Sequence, residues 1–162
     1  MHSRPQSYSG SHEQLYETCF RGNINKVHDE IQNGATAFNS GLYSACRGGH
    51  KDIALLMIEK GATNFNVGFY IACSLGHEDI VLLLIEKGAK DFNGGCSCII
   101  NFMLMNEKNK NDFDNNSFCK LLDKCKKLML LMAKKGATDF DDLKYSKNGH
   151  KDAAWQWKMV FR

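Results

Sequence analysis

The chain contains no run approaching the roughly 18 to 20 uncharged apolar residues that span a bilayer, and its first residues, MHSRPQSYSGSH, carry no apolar core of the signal-peptide kind. Neither a transmembrane nor a secreted protein is expected. No two cysteines are spaced CxxC and their number, seven, is odd, which suits free thiols in a reducing compartment better than a disulfide framework. Lys and Arg outnumber Asp and Glu by only 21 to 18, too little to mark nucleic acid or a membrane surface as the partner. There is also no G-x-S-x-G elbow, no phosphate loop and no HExxH helix, so no enzyme, cofactor or metal is expected. What remains is a chain of 162 residues with 43% hydrophobic content, enough for one core and one domain.

That domain is repetitive. Gly34-Ala35, Gly61-Ala62 and Gly88-Ala89 recur at a constant 27-residue spacing, as do Phe38-Asn39, Phe65-Asn66 and Phe92-Asn93. Tyr16, Tyr43 and Tyr70 keep the same register, and so do Cys19, Cys46 and Cys73, and Gly22, Gly49 and Gly76. A register shared by so many positions is the mark of stacked units, each a supersecondary element that cannot bury its apolar face alone. Within a unit, Leu42, Ala45 and Cys46 stand at i, i+3 and i+4, which predicts a helix over 41–47 with a narrow face of small residues. Gly48-Gly49 breaks it. A second helix over 51–60 has Asp52 in its first turn, Lys60 in its last and Gly61 beyond, matching the helix dipole and a left-handed cap. Ile53, Ala54, Leu56, Met57 and Ile58 leave it little polar surface, so neighbouring units must cover it.

The ends depart from the pattern. Residues 1–12 read as a flexible tail, and 13–162 as one repeat domain with units over about 14–40, 41–67, 68–94, 95–139 and 140–162. The first unit has Lys26, His28 and Glu30 where the second has Ile53, Leu55 and Met57, the polar outside that a terminal unit needs. In the fourth, Gly136-Ala137 follows Gly88-Ala89 at a 48-residue offset in place of the 27-residue one, so an insertion near 106–117 should lengthen both helices and end in an exposed loop, with Ser117 capping the second. Trp155 and Trp157 close the stack and form a candidate secondary interface. The last third is basic, with Lys124, Lys126, Lys127, Lys134 and Lys135 in one run; a solvated helix face is the expected reading. Cys96, Cys98, Cys119 and Cys125 lack zinc-knuckle spacing, and Asp112, Asp114, Asn116 and Asp123 lack the glycine of a calcium loop, so neither set is taken as a metal site. His50, His77 and His150 follow helix-breaking glycines and are read as turn stabilisers. The three tyrosines are likewise assigned a structural role.

GLYSACRGGHKDIALLMIEKGAT and GFYIACSLGHEDIVLLLIEKGAK resemble the ankyrin repeat, with its Leu-x-x-Ala helix, Gly-His turn, Ile-Val-x-Leu-Leu helix and Gly-Ala. The family period is about 33 residues, so a 27-residue unit implies short or absent β-fingers, and Gly41-Leu42-Tyr43 replaces the usual Thr-Pro-Leu-His start. Such compact units, with lysine favoured over arginine, are similar to arrays in large DNA viruses of amoebae. The resemblance implies an all-α, ankyrin-type helical solenoid of about five helix pairs. It also implies a non-catalytic module, in the cytoplasm of a cell or of a viral host, that binds a partner protein on its concave face as an adaptor or decoy. Carried over position by position, the contact residues are Ser40, Arg47, Val67, Ser74 and Leu75, flanked by Ser44 and Ile71, with Leu75 taken as an apolar residue in an exposed slot. Asn39, Asn66 and Asn93 match the position hydroxylated in related arrays, if the shortened turn allows an extended backbone. A monomer is favoured. The alternatives are self-association through the tryptophan end, and binding of nucleic acid or another anionic ligand by the basic end.

Overall fold

The computed structural model describes residues 9–108 and 115–137. Trp155, Trp157, His150, the insertion loop with Asp112 and Asp114, and the fifth unit lie outside them. The described residues form eight α-helices and no strand: α1 (Ser9–Arg21), α2 (Ile24–Gln32), α3 (Phe38–Gly48), α4 (Lys51–Glu59), α5 (Phe65–Leu75), α6 (Glu78–Glu86), α7 (Phe92–Lys108) and α8 (Asn115–Lys134). They are the two helices of four successive units. First helices α1, α3, α5 and α7 pack directly on one another, while the second helices rest mainly on the first and touch each other sparsely. The connections at 33–37, 60–64 and 87–91 hold no strand. None of the described helices is long and apolar enough to cross a membrane.

Both helices of a unit end in the same way. After α3, the backbone N–H of His50 reaches the Ala45 carbonyl at 3.0 Å, and after α4 that of Ala62 reaches the Met57 carbonyl at 2.9 Å. Each motif turns on a left-handed glycine, Gly49 (φ 79°) or Gly61 (φ 110°), because only glycine enters that region without a Cβ clash. Gly49 is doubly constrained: a Cβ there would sit 2.7 Å from the His77 ring.

The first helices begin three residues earlier than the glycines suggest. Phe38-Asn39-Ser40 is the opening turn of α3, and Phe65-Asn66-Val67 that of α5. Gly41 is therefore inside a helix and buried, where a Cβ would fall 2.5 Å from Met57 Sδ; Gly68 would meet Cys46 Sγ at 3.0 Å. These glycines serve close approach of neighbouring elements, not chain reversal. Similarly, α1 starts at Ser9, inside the segment read as tail, and α8 starts at Asn115, two residues before Ser117.

The core is one continuous cluster built in register. First helices contribute Leu42, Ala45 and Cys46, then Phe69, Ala72 and Cys73, then Cys96, Ile99 and Ile100. Second helices contribute Ile53, Ala54 and Met57, then Ile80, Val81 and Leu84, then Leu128, Met129 and Met132. Leu128, Met129 and Met132 follow Ile80, Val81 and Leu84 at the same 48-residue offset as the Gly-Ala pairs. The last nine residues of α8 are thus the counterpart of α6, and its earlier turns are extra length. The insertion does lengthen both helices, to 17 residues in α7 against 11 in α5, and to 20 in α8 against 9 in α6.

Candidate functional site: the face of the first helices

Five side chains, His50, His77, Asn39, Asn66 and Tyr70, join one unit to the next and shape this face. The His50 ring donates from Nε2 to the Phe20 carbonyl at 3.0 Å, and one unit further on the His77 ring bonds the Arg47 carbonyl. Asn39 Oδ1 accepts from the N–H groups of Thr63 at 2.8 Å and Asn64 at 3.1 Å, and Asn66 Oδ1 accepts from Lys90 N–H at 3.1 Å. These asparagines lie in helical first turns with their amides engaged, not in the extended backbone that hydroxylation would require. Tyr70 donates to Asp91 in the following connection, a bond that pushes its phenol up to about 12 and, with the Gly94 N–H, holds Asp91 below the ordinary carboxylate value.

Tyr16 and Tyr43 behave differently from Tyr70. Their rings stack with centroids 6.3 Å apart and planes 24° from parallel. Arg47 lies against them, donating to the Tyr16 hydroxyl at 3.1 Å with its guanidinium carbon 5.3 Å from the centre of the Phe20 ring. Beside the stack is a shallow cleft of about 190 Å³ lined by Tyr16, Asn39, Ser40, Tyr43, Asn64 and Val67. Val67 is 45% exposed, one of few large apolar side chains so open among the described residues.

Of the positions named from sequence, Ser40 and Val67 line this cleft and Arg47 is exposed at its margin. Ile71, Ser74 and Leu75 are half-buried further along α5, and the Ser74 hydroxyl donates back to the Ile71 carbonyl at 2.9 Å. Leu75 is not the exposed apolar residue expected. Ser44 is a correction too: it is fully buried and its hydroxyl donates to the Tyr16 carbonyl, so it fastens α3 to α1 and offers nothing to a partner. Tyr16, Tyr43, Asn39 and Asn64 complete the cleft and were not assigned to it. The signal for the tyrosines was their recurrence, but recurrence does not separate the two that stack from the one that is tied to Asp91.

No protein-family model matches the chain. No curated protein matches it either. The residues themselves must therefore carry the functional argument.

Burial pushes the thiols of Cys19, Cys46 and Cys96 up to about 12 and that of Cys125 to about 11. Cys73 is raised by burial and further by Cys98, Cys96 and Cys125. Such thiols stay protonated and are poor nucleophiles. Among the described residues, no three His, Cys, Asp or Glu side chains converge as a metal site would require, and Cys119 is not among the described side chains. What the face presents is a stacked aromatic pair, a pre-positioned guanidinium, an open valine and amide and hydroxyl groups around a cleft.

Proposed function

We propose that the chain is a non-catalytic protein-interaction module, an ankyrin-type array that holds a partner protein along the face of its first helices. The observation that carries this reading is the cleft at Tyr16, Ser40, Tyr43 and Val67 with Arg47 at its edge. Tyrosine and arginine are enriched where proteins bind one another, because each gives large contact area together with hydrogen bonds. Arg47 is already held by Tyr16 and Phe20, so little freedom is lost when it engages a partner. An intracellular setting agrees with the six cysteines that are free among the described residues, and an adaptor or decoy role in a virus-infected cell is the finer form of the proposal.

The test compares capture from cell lysate by the native chain, by a Val67→Asp/Arg47→Glu variant and by a control, His28→Ala, on the exposed side of α2. Equal melting temperatures come first. Proteins held by the native chain and the control but lost from the cleft variant support the proposal. Equal capture by all three places binding elsewhere on the molecule and overturns it.

A further inference from the structure

The exposed sides of the second helices carry a pattern that the cleft does not use. In α6, Glu78 and Asp79, Leu82, and Glu86 lie at i, i+3 or i+4, and i+7 or i+8, so they form one exposed ridge. The 48-residue offset sets Lys126 and Lys127, Leu130, and Lys134 at the equivalent places in α8. The leucine is kept and every charge is reversed. Leu82 is 44% exposed and Leu130 41%, both uncommon values for large apolar side chains among the described residues. In α4 the same places hold Lys51, Asp52, Leu55 and Glu59, a mixed set, and in α2 they hold Ile24, Asn25, His28 and Gln32, with no formal charge. Among the described residues the one ion pair is Arg21 with Glu17, so neither ridge is neutralised by another described side chain of its own chain.

We propose that these two ridges form a self-complementary surface whose occupant is a second copy of this chain. A two-fold axis in the interface, parallel to α6 and α8 and midway between them, lays α6 of one copy on α8 of the other, and the reverse, in a single operation. Because the ridges match position by position, Asp79 then faces the second copy's Lys127, Leu82 its Leu130 and Glu86 its Lys134, each twice. Opposite charges set register and orientation, and the leucines supply the apolar centre. The ridges are small against the roughly 1,000 Å² that a stable interface buries, so the dimer is weak, concentration-dependent and salt-sensitive. The first-helix cleft stays open in it.

Sedimentation equilibrium of the full chain tests this, with Asp79→Lys/Glu86→Lys and Lys127→Glu/Lys134→Glu as variants. All four positions are exposed, and circular dichroism checks that each variant keeps its helices. The native mass is expected to rise from 18.3 kDa toward twice that value with concentration. It should fall back when salt is raised from about 0.1 M to about 1 M, which shortens the screening length from about 10 Å to about 3 Å. Each variant alone sets like charges opposite one another and should remain monomeric. An equimolar mixture restores both contacts and should associate again, which no folding defect can imitate. A native chain that stays at 18.3 kDa throughout overturns the proposal. So does association that persists in the separate variants, or a mixture that stays monomeric.

Discussion

The two layers of helices solve the same stacking problem with different side chains. First helices approach closely over Gly41, Ala45 and Cys46, then Gly68, Ala72 and Cys73; a Cβ at Gly41 would lie 2.5 Å from Met57 of α4, and one at Gly68 3.0 Å from Cys46 of α3. Second helices fill their space with Ile53 and Met57, Ile80 and Leu84, Leu128 and Met132. Small residues let one backbone come near another, so the first layer also carries the links between units: Ser44 to Tyr16, Asn39 to Thr63, His50 to Phe20. The second layer has bulk and few polar ties. Order between units is therefore written mainly in the first layer, and apolar volume in the second.

The layers should therefore fail in opposite ways. Truncation should hurt the second layer most: Leu84→Ala removes a fully buried side chain and is expected to cost about 2–5 kcal/mol in urea unfolding. Enlargement should hurt the first layer, and by an amount set by what the new atom meets. A Cβ at Gly95 would lie 2.5 Å from the rigid Phe69 ring, whereas one at Gly41 meets the flexible end of Met57. Gly95→Ala should therefore cost about 1–3 kcal/mol, while Gly41→Ala, helped by about 1 kcal/mol of helix propensity, should come out near neutral. His50→Ala, which removes one tie, should cost about 1 kcal/mol.

The smallest effect separates the layers by pH. Burial lowers the His77 pKa below its ordinary 6.5, opposed by the Arg47 carbonyl and Asp79 and reinforced by Lys124 and His50. The unfolded chain then binds the proton more readily, so this contribution is complete above pH 6.5 and is lost as pH falls through 6.5 and the lower folded value. The melting temperature should drop on acidification through that window, and His77→Gln should flatten that part of the curve. An equal slope in the variant would remove His77 as the cause.

Much of this was legible in the chain. The 27-residue register, the paired helices, the glycine caps and the small-residue face at Leu42, Ala45 and Cys46 all follow from spacing, because stacking demands the same residue type at the same place in each unit. The helix starts were not, since a helix expected from Gly41 begins at Phe38, and nothing in the spacing marks the turn before the glycine as helical. Ser44 was misplaced for a related reason: a hydroxyl aimed at a carbonyl of the preceding helix looks in sequence like any surface serine. The cleft was half legible, as Ser40 and Val67 lie at its edge while the partners of each tyrosine depend on three dimensions.

Removal of one unit tests the central claim most directly. Deleting residues 41–67 joins Ser40 to Gly68 in register, so both layers, the caps and the ties made by Asn39 and His77 should re-form one unit shorter, while the Ser44 and Arg47 contacts to Tyr16 are lost because Ile71 and Ser74 take their places. Thermal melting by circular dichroism should then show a cooperative transition with helicity per residue retained, at a lower temperature than the full chain. Deleting 41–63, which breaks the register, should abolish that transition. Equal melting of the two deletions, or loss of structure in the in-register one, would contradict the account.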